Sequence, residues 1–212
     1  MQRLPDPLTL AGSTPADLLA QSSPLAGTPG ASYVEHRAIP VGVAHAAGVR
    51  YARDFDGRPA VIVPLYDHHD ALTSVHARYL QTLRGEDKML TIGPGGGAIG
   101  VLGGRRAEPL IVVEGLFDAL SLAVCGYACV ATIGRCVPWL PEVSAGRMVW
   151  LAFDAGRSGD AEAAPLAAEL SHSRVRRLPP PGRSKDWNTA LVKRGRAAVT
   201  RWLDHSLTEV NP

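Results

Sequence analysis

The chain has 212 residues, of which 46% are hydrophobic and 20% charged, with a net charge of +2. That balance excludes a disordered or low-complexity protein and provides apolar material for one sizeable domain, or a domain with a smaller companion. Three cysteines without a CxxC pair (Cys125, Cys129, Cys136), no apolar run of membrane-spanning length and no basic-then-apolar leader argue against a disulfide scaffold, a zinc ribbon and a secreted or membrane protein. The expectation is a cytoplasmic protein whose cysteines serve as small buried hydrophobes.

Residues 1–31 are rich in Pro, Ala, Gly, Ser and Thr and read as a flexible tail or linker, with one short helical turn around Pro15–Gln21. Residues 32–104 read as a small α+β subdomain. Ser32 and Glu35 have the spacing of a capping box that opens a short helix, and a second short helix fits residues 41–47. Strands are expected at Ala60–Leu65 and Ser74–Leu80, with Asp67–Asp70 as the turn between them. Met89–Ile92 and Ile99–Leu102 frame the loop Gly93-Pro94-Gly95-Gly96-Gly97. A phosphate-binding loop needs a helix directly after its glycines, whereas here a strand-like run follows, so a mobile hairpin loop is expected.

From Pro109 the pattern changes. Leu110–Val113 is a continuous apolar run, as in a strand buried on both faces. A helix over Phe117–Cys125, a strand at Ala128–Thr132, a strand at Met148–Phe153, a helix over Ala161–Leu170, a strand at Val175–Leu178 and a helix or helix pair over Trp187–Leu203 follow in order. Strands that alternate with helices imply a mainly parallel sheet, and in such sheets ligands bind beyond the carboxyl ends of the strands. Residues 206–212 read as a second tail. The last third is also strongly basic: residues 172–201 hold nine Lys or Arg against the single acid Asp186. Beside an acidic body, this is the layout expected when one face meets phosphate and another holds metal; a solvated basic helix is the plainer alternative.

Two of the buried strands end in acids at the same edge. Glu114 ends the first and Asp118 follows one helical turn later; Asp154 ends another. Three convergent carboxylates repel one another, and a hard divalent cation, Mg²⁺ or Mn²⁺, relieves that repulsion with oxygen ligands alone. Capping of the following helix by Glu114 and Asp118 is the structural alternative. Asp160, six residues beyond Asp154, either joins the cation site or stabilises a helix end. Of the four tryptophans, Trp187 alone is a candidate for touching a ligand.

These segments carry a resemblance. Leu110–Leu122, an apolar strand followed by Glu-Gly-x-x-Asp-Ala-Leu-Ser-Leu, closely resembles the first signature of the Toprim family. Ala131-Thr132-Ile133-Gly134, then Leu151–Ala161, then Leu178–Asn188 with its Lys185-Asp186 pair, resemble further landmarks of that family in the same order. Tyr33–Arg37, Ile62–Pro64 with Asp67, Ala77-Arg78 and Lys88 resemble the segments that precede them in DnaG-type, phage and plasmid primase cores.

The resemblance implies an α/β Toprim fold with a parallel central sheet at 105–205, preceded by the α+β subdomain at 32–104. It implies a DNA primase activity: RNA primer synthesis by nucleotidyl transfer on single-stranded DNA, from nucleoside triphosphates and with Mg²⁺ or Mn²⁺. Glu114, Asp118 and Asp154 are then the catalytic and metal-holding residues, with Asp160 as a further ligand. Arg78, Lys88, Lys185, Asp186, Arg176 and Arg177 become candidates for binding nucleotide or nucleic acid, and a helicase or zinc-finger module on another chain becomes a candidate partner. The second Toprim signature reads Asp-x-Asp, whereas this chain has Asp154-Ala155-Gly156. That departure keeps open a Toprim nuclease and a non-catalytic nucleic-acid-binding module with a decayed metal site.

Overall fold

The structure is a computed structural model, and it describes residues 12–134 and 137–208. The chain divides into two compact units, Met1–His36 with Pro40–Ile99 and Arg37–Ile39 with Gly100–Pro212.

The first unit contains α1 (Pro15–Ala20), β1 (Ser23–Pro24), α2 (Pro29–Glu35), α3 (Val41–Ala46), β2 (Arg50–Phe55), β3 (Arg58–Tyr66), β4 (Leu72–Tyr79) and β5 (Met89–Ile92). The five strands form one antiparallel sheet in sequential order. Alternation along β3 splits its buried residues between two faces. Ala60 and Ile62 join Phe55, Val75, Ala77, Tyr79 and Ile92, on which Leu18 and Leu19 of α1 pack. Val61 faces α2, where a side-chain carbon on Gly30 would come within 3.1 Å of Tyr51 and Val61. Pro64 is tolerated in this central strand because β2 begins, at Arg50, opposite Ile62, so no ladder bond to β2 is lost at Pro64.

Several expectations are revised in this unit. The short helical turn expected around Pro15–Gln21 is α1, but the rest of the expected linker is not loose: it carries β1 and the start of α2, and residues 1–11 lie outside the described residues. The helix expected to open at Ser32 begins instead at Pro29, with Thr28 as N-cap and no side-chain capping bond. Pro29 sets the start because its fixed φ suits the first helical position and its missing N–H is not needed there. Strand β2, polar at most of its positions, was not anticipated. The glycine loop is closely packed at both ends. A side-chain carbon on Gly93 would lie 2.3 Å from the Thr73 carbonyl oxygen, and one on Gly97 would lie 2.2 Å from Thr73 Oγ1. These glycines admit close backbone approach rather than hairpin mobility.

The second unit contains β6 (Ile99–Val101, beginning one residue earlier), a short 3₁₀ turn (Gly104–Arg106), β7 (Leu110–Val113), α4 (Leu116–Val124), β8 (Cys129–Ala131), α5 (Leu140–Ser144), β9 (Met148–Leu151), α6 (Arg157–Glu169), β10 (Arg174–Arg177), α7 (Trp187–Arg194) and α8 (Arg196–Thr208). The sheet order is β10-β9-β7-β8-β6, and the β10–β9, β9–β7 and β7–β8 pairs are parallel. This is the α/β arrangement with a parallel central sheet that the sequence implied. All four residues of β7 are buried, as its unbroken apolar run requires. Cys125 and Cys129 are buried thiols, while Cys136 lies outside the described residues. Helix α8 extends through Thr208, into the expected C-terminal tail, whose last four residues lie outside the described ones. Among the described residues no helix is long and apolar enough to cross a membrane.

Candidate metal and nucleotide site

Parallel pairing brings the carboxyl ends of β7, β8, β9 and β10 to one edge. The ladder runs one residue past each assigned strand end: Thr132 N–H donates to Val113, Ala152 N–H to Val112 and Leu178 N–H to Leu151. Glu114 follows β7 and Asp154 lies three residues beyond β9, so the sheet itself places both acids at this edge.

Asp118 sits in the first turn of α4 but does not cap that helix. Its Oδ1 accepts the N–H groups of Trp187 at 3.0 Å and Asn188 at 3.2 Å, the first two residues of α7. Asp186, the N-cap of α7, accepts the Thr189 N–H at 2.6 Å. Two carboxylates therefore satisfy three otherwise unpaired N–H groups of one helix start. The other oxygen, Asp118 Oδ2, lies 2.9 Å from where a side-chain carbon on Gly115 would be, so Gly115 leaves the space this carboxylate occupies. Burial, then repulsion from Asp186 and Asp154, pushes the Asp118 carboxyl up to about 7, against the opposing pull of the Asn188 and Trp187 N–H groups.

Glu114 Oε1 is buried and accepts no hydrogen bond from the described residues. A buried carboxylate oxygen without a donor is costly unless a cation or proton meets it. Asp154 is also pushed up, by burial first; Lys185 opposes this and Asp186 adds to it. Lys185 Nζ lies 3.6 Å from Asp154 Oδ2. The three acids offer hard oxygen donors whose negative charge only Lys185 offsets by an ion pair among the described residues, the kind of set a divalent cation takes. Among the described residues no three acidic, His or Cys side chains stand as a ready-made cation cage. The donor chemistry fits a divalent cation, while a coordination geometry is not preformed.

The region after Asp154 is arranged differently. Gly156 is the N-cap of α6 with φ +83° and ψ −170°, a conformation open essentially to glycine alone. The acid that the Toprim pattern expects here is thus missing together with the backbone that would carry it. Asp160 does not turn toward Asp154: its Oδ1 lies 2.9 Å from Arg177 Nη2, and Arg177 also donates to the carbonyls of Leu151 and Asp154 at 2.7 and 3.0 Å. Arg177 therefore fastens the end of β9 to α6, and engaging it with phosphate would break these bonds. Gly159 packs so tightly on the Asp154 carbonyl that a side-chain carbon there would lie 1.8 Å from the oxygen.

The remaining candidates are spread over both units. Arg78 on β4 donates to the Tyr33 hydroxyl at 3.3 Å, and exposed Lys88 precedes β5; both belong to the first unit. Arg176 is exposed on β10, and Lys185 and Asp186 lead into α7. Trp187, a ligand candidate from sequence, is fully buried and donates its indole N–H to the Ala152 carbonyl at 2.8 Å; it belongs to the core.

Two residues that the sequence resemblance included, but did not pair with each other, support the site. Asn188 donates through Nδ2 to the Arg37 carbonyl at 2.9 Å and to Ser121 Oγ at 3.1 Å, while Arg37 donates to Asn188 Oδ1 at 3.2 Å. The Arg37 guanidinium also lies over the Phe117 ring, 4.2 Å from its centroid. Spacing alone could not pair residues so distant in the chain. Asp186 two residues before Asn188, at a predicted helix start, was the available signal that this strip is closely bonded.

Residues 109–197 match the Toprim domain family. No curated protein matches the sequence. Among solved structures the chain is similar to the Aquifex aeolicus primase with its zinc-binding and RNA polymerase domains. The TM-score is 0.69 at 15% identity, over 92% of this chain and 62% of that one. It is similar to the catalytic domain of DnaG primase bound to single-stranded DNA, with TM-score 0.65 and 18% identity over 90% and 77% of the two chains. The primase fragment of the bacteriophage T7 primase-helicase protein gives 0.59 and 20% over 80% and 72%. The fold is that of primase catalytic cores, and the chain spans less than two thirds of the Aquifex aeolicus chain.

Proposed function

We propose that this chain is the catalytic core of a primase-type nucleotidyltransferase, joining ribonucleotides into short RNA on single-stranded DNA. The observation that carries the reading is the pair of acids after β7: Glu114 with a buried oxygen that no donor meets among the described residues, and Asp118 held up to about 7 at the start of α7. Glu114, Asp118 and Asp154 would hold Mg²⁺ or Mn²⁺. When bound, such a cation neutralises phosphate charge and stabilises in-line displacement at phosphorus. Lys185 and Arg176 in the second unit, and Arg78 and Lys88 in the first, are assigned to phosphates of nucleotide or template. Asp186 organises the first turn of α7, which keeps Asp118 in place. The subdomain limits 32–104 and 105–205 are adopted with this reading. The solved primases, one bound to single-stranded DNA and one named a primase-helicase, support DNA as template and a helicase or zinc-binding module as partner.

A second reading has its own observation. Gly156 in a glycine-only conformation and Asp160 paired with Arg177 leave the β9 end with Asp154 alone, which favours a non-catalytic nucleic-acid-binding module. The deciding experiment incubates the chain with single-stranded DNA, labelled ribonucleoside triphosphates and Mg²⁺ or Mn²⁺, beside Glu114→Gln. Short labelled RNA that disappears in the variant supports the primase reading. DNA cleavage in place of synthesis identifies a nuclease. Retention of single-stranded DNA with neither product identifies the binding module.

A further inference from the structure

Lys185 is anchored by its main chain and exposed in its side chain. The Lys185 carbonyl accepts the Ala155 N–H at 2.7 Å, which fixes residue 185 beside the end of β9. From that anchor its ammonium reaches Asp154 Oδ2 at 3.6 Å. The next residues hold the other acids: Asp186 caps α7, and the Trp187 and Asn188 N–H groups bind Asp118. One strip, 185–188, therefore touches both Asp154 and Asp118.

The two partners of the Lys185–Asp154 pair differ in exposure. The lysine side chain is 77% exposed and the aspartate 22%. A largely solvated ammonium on a flexible four-carbon stem gives up such a contact at little cost. The carboxylate, largely shielded from water, has more to gain from a stronger cation.

We propose that Lys185 is an exchangeable counter-ion of the acidic site: it occupies Asp154 while the site holds no divalent cation, and cation binding releases it to bind the phosphate chain of a nucleoside triphosphate. The proposal rests on the cation reading given above and deepens it. A divalent cation and an ammonium on one carboxylate repel each other at this range, so entry of the first expels the second. Because the main chain at 185 stays bonded to Ala155, the released ammonium remains within a side-chain length of the site. A triphosphate arriving there is the ligand whose charge it matches. Cation and triphosphate binding are thereby coupled: the cation frees the lysine that the phosphates need.

The test is calorimetric titration of the full chain with Mn²⁺, without nucleotide, at physiological salt. The variants are Lys185→Met and, as a control for unpaired charge nearby, Arg183→Met, whose exposed side chain lies on the preceding loop. Lys185→Met is expected to bind Mn²⁺ about three- to tenfold tighter, and Arg183→Met to stay within about twofold of wild type because salt screens its exposed charge. At saturating Mn²⁺, Lys185→Met is expected to bind tripolyphosphate about tenfold more weakly, with Lys185→Arg restoring most of the loss. Mn²⁺ affinity in Lys185→Met equal to or weaker than wild type overturns the exchange while leaving the cation site standing. A wild type that takes up no Mn²⁺ overturns the cation reading and the exchange with it. Thermal unfolding of each variant confirms that an exposed substitution leaves the fold intact.

Discussion

The ends of β7 and β9 start from the same plan and finish differently. Each is a buried parallel strand leading to an acid, a glycine and a helix. After β7 the glycine, Gly115, leaves room for the Asp118 carboxylate, and the helix acid is drawn inward to the start of α7. After β9 the glycine, Gly156, takes a backbone conformation closed to other residues, and the helix acid, Asp160, turns outward to Arg177. The first end concentrates negative charge away from water; the second neutralises it with a guanidinium. A similar local sequence thus yields one site under electrostatic strain and one already satisfied, and the difference lies in which distant basic or N–H groups the fold brings up.

The sharpest test of this difference is stability against pH in the presence of a chelator. The Asp118 carboxyl is raised to about 7 in the folded chain, so the folded state binds more protons than the unfolded one between about pH 4 and 7. Its contribution is fully present below that window and is lost as pH rises through it. Asp118→Asn keeps an acceptor for the Trp187 and Asn188 N–H groups and carries no charge. Denaturant unfolding is expected to show it more stable than wild type by about 2–4 kcal/mol at pH 8, with little difference at pH 4. Equal stability at pH 8 would mean that the β7 end holds no strained charge.

Cation binding separates the two ends next. Glu114→Gln is expected to weaken Mg²⁺ or Mn²⁺ binding by at least about tenfold, or roughly 1.4 kcal/mol, because the unmet buried oxygen is its strongest inducement. Because the proton on Asp118 competes with the cation, wild-type affinity is expected to rise from pH 6 to pH 8, and the Asp118→Asn variant to lose that dependence. Calorimetry at several pH values reads both.

Gly156→Asp supplies the missing signature acid and asks whether chemistry or backbone rules the β9 end. Its φ of +83° makes the substitution strained even though space around it is open. The expected result is a loss of about 1–3 kcal/mol of stability with no second cation bound. A stable variant with an added cation site would show that the β9 end yields easily to the β7 pattern. The smallest effect is expected for Asp160→Asn. Its pair with Arg177 is largely exposed on the acid's side, so metal affinity should change by less than about threefold and stability by under about 1 kcal/mol.

Much of the second unit was legible because its signals are local and strong. The unbroken apolar run at Leu110–Val113, the strand at Met148–Leu151 and the helix opened by Asp186 need no knowledge of the rest of the chain. The parallel sheet then follows from alternation of strands and helices, and Glu114 and Asp154 come to one edge as a consequence. The first unit was read less well. β2 has a polar pattern and forms because β3 offers it a ladder, and residues 15–31 order because Leu18 and Leu19 find an apolar face on a sheet built from residues far along the chain.

The order of the acids, the glycines and the parallel strands was set by the sequence itself, since strand periodicity and chain connectivity act over a few residues. Only the tertiary structure decided what each acid meets. Asp118 finds the start of a helix 69 residues away, Asp160 finds Arg177, and Lys185 finds Asp154, while Glu114 Oε1 finds no donor among the described residues. Charge, burial and hydrogen bonding act through space, so the same residue type becomes a cation ligand, a helix cap or half of an ion pair according to the partner that folding delivers.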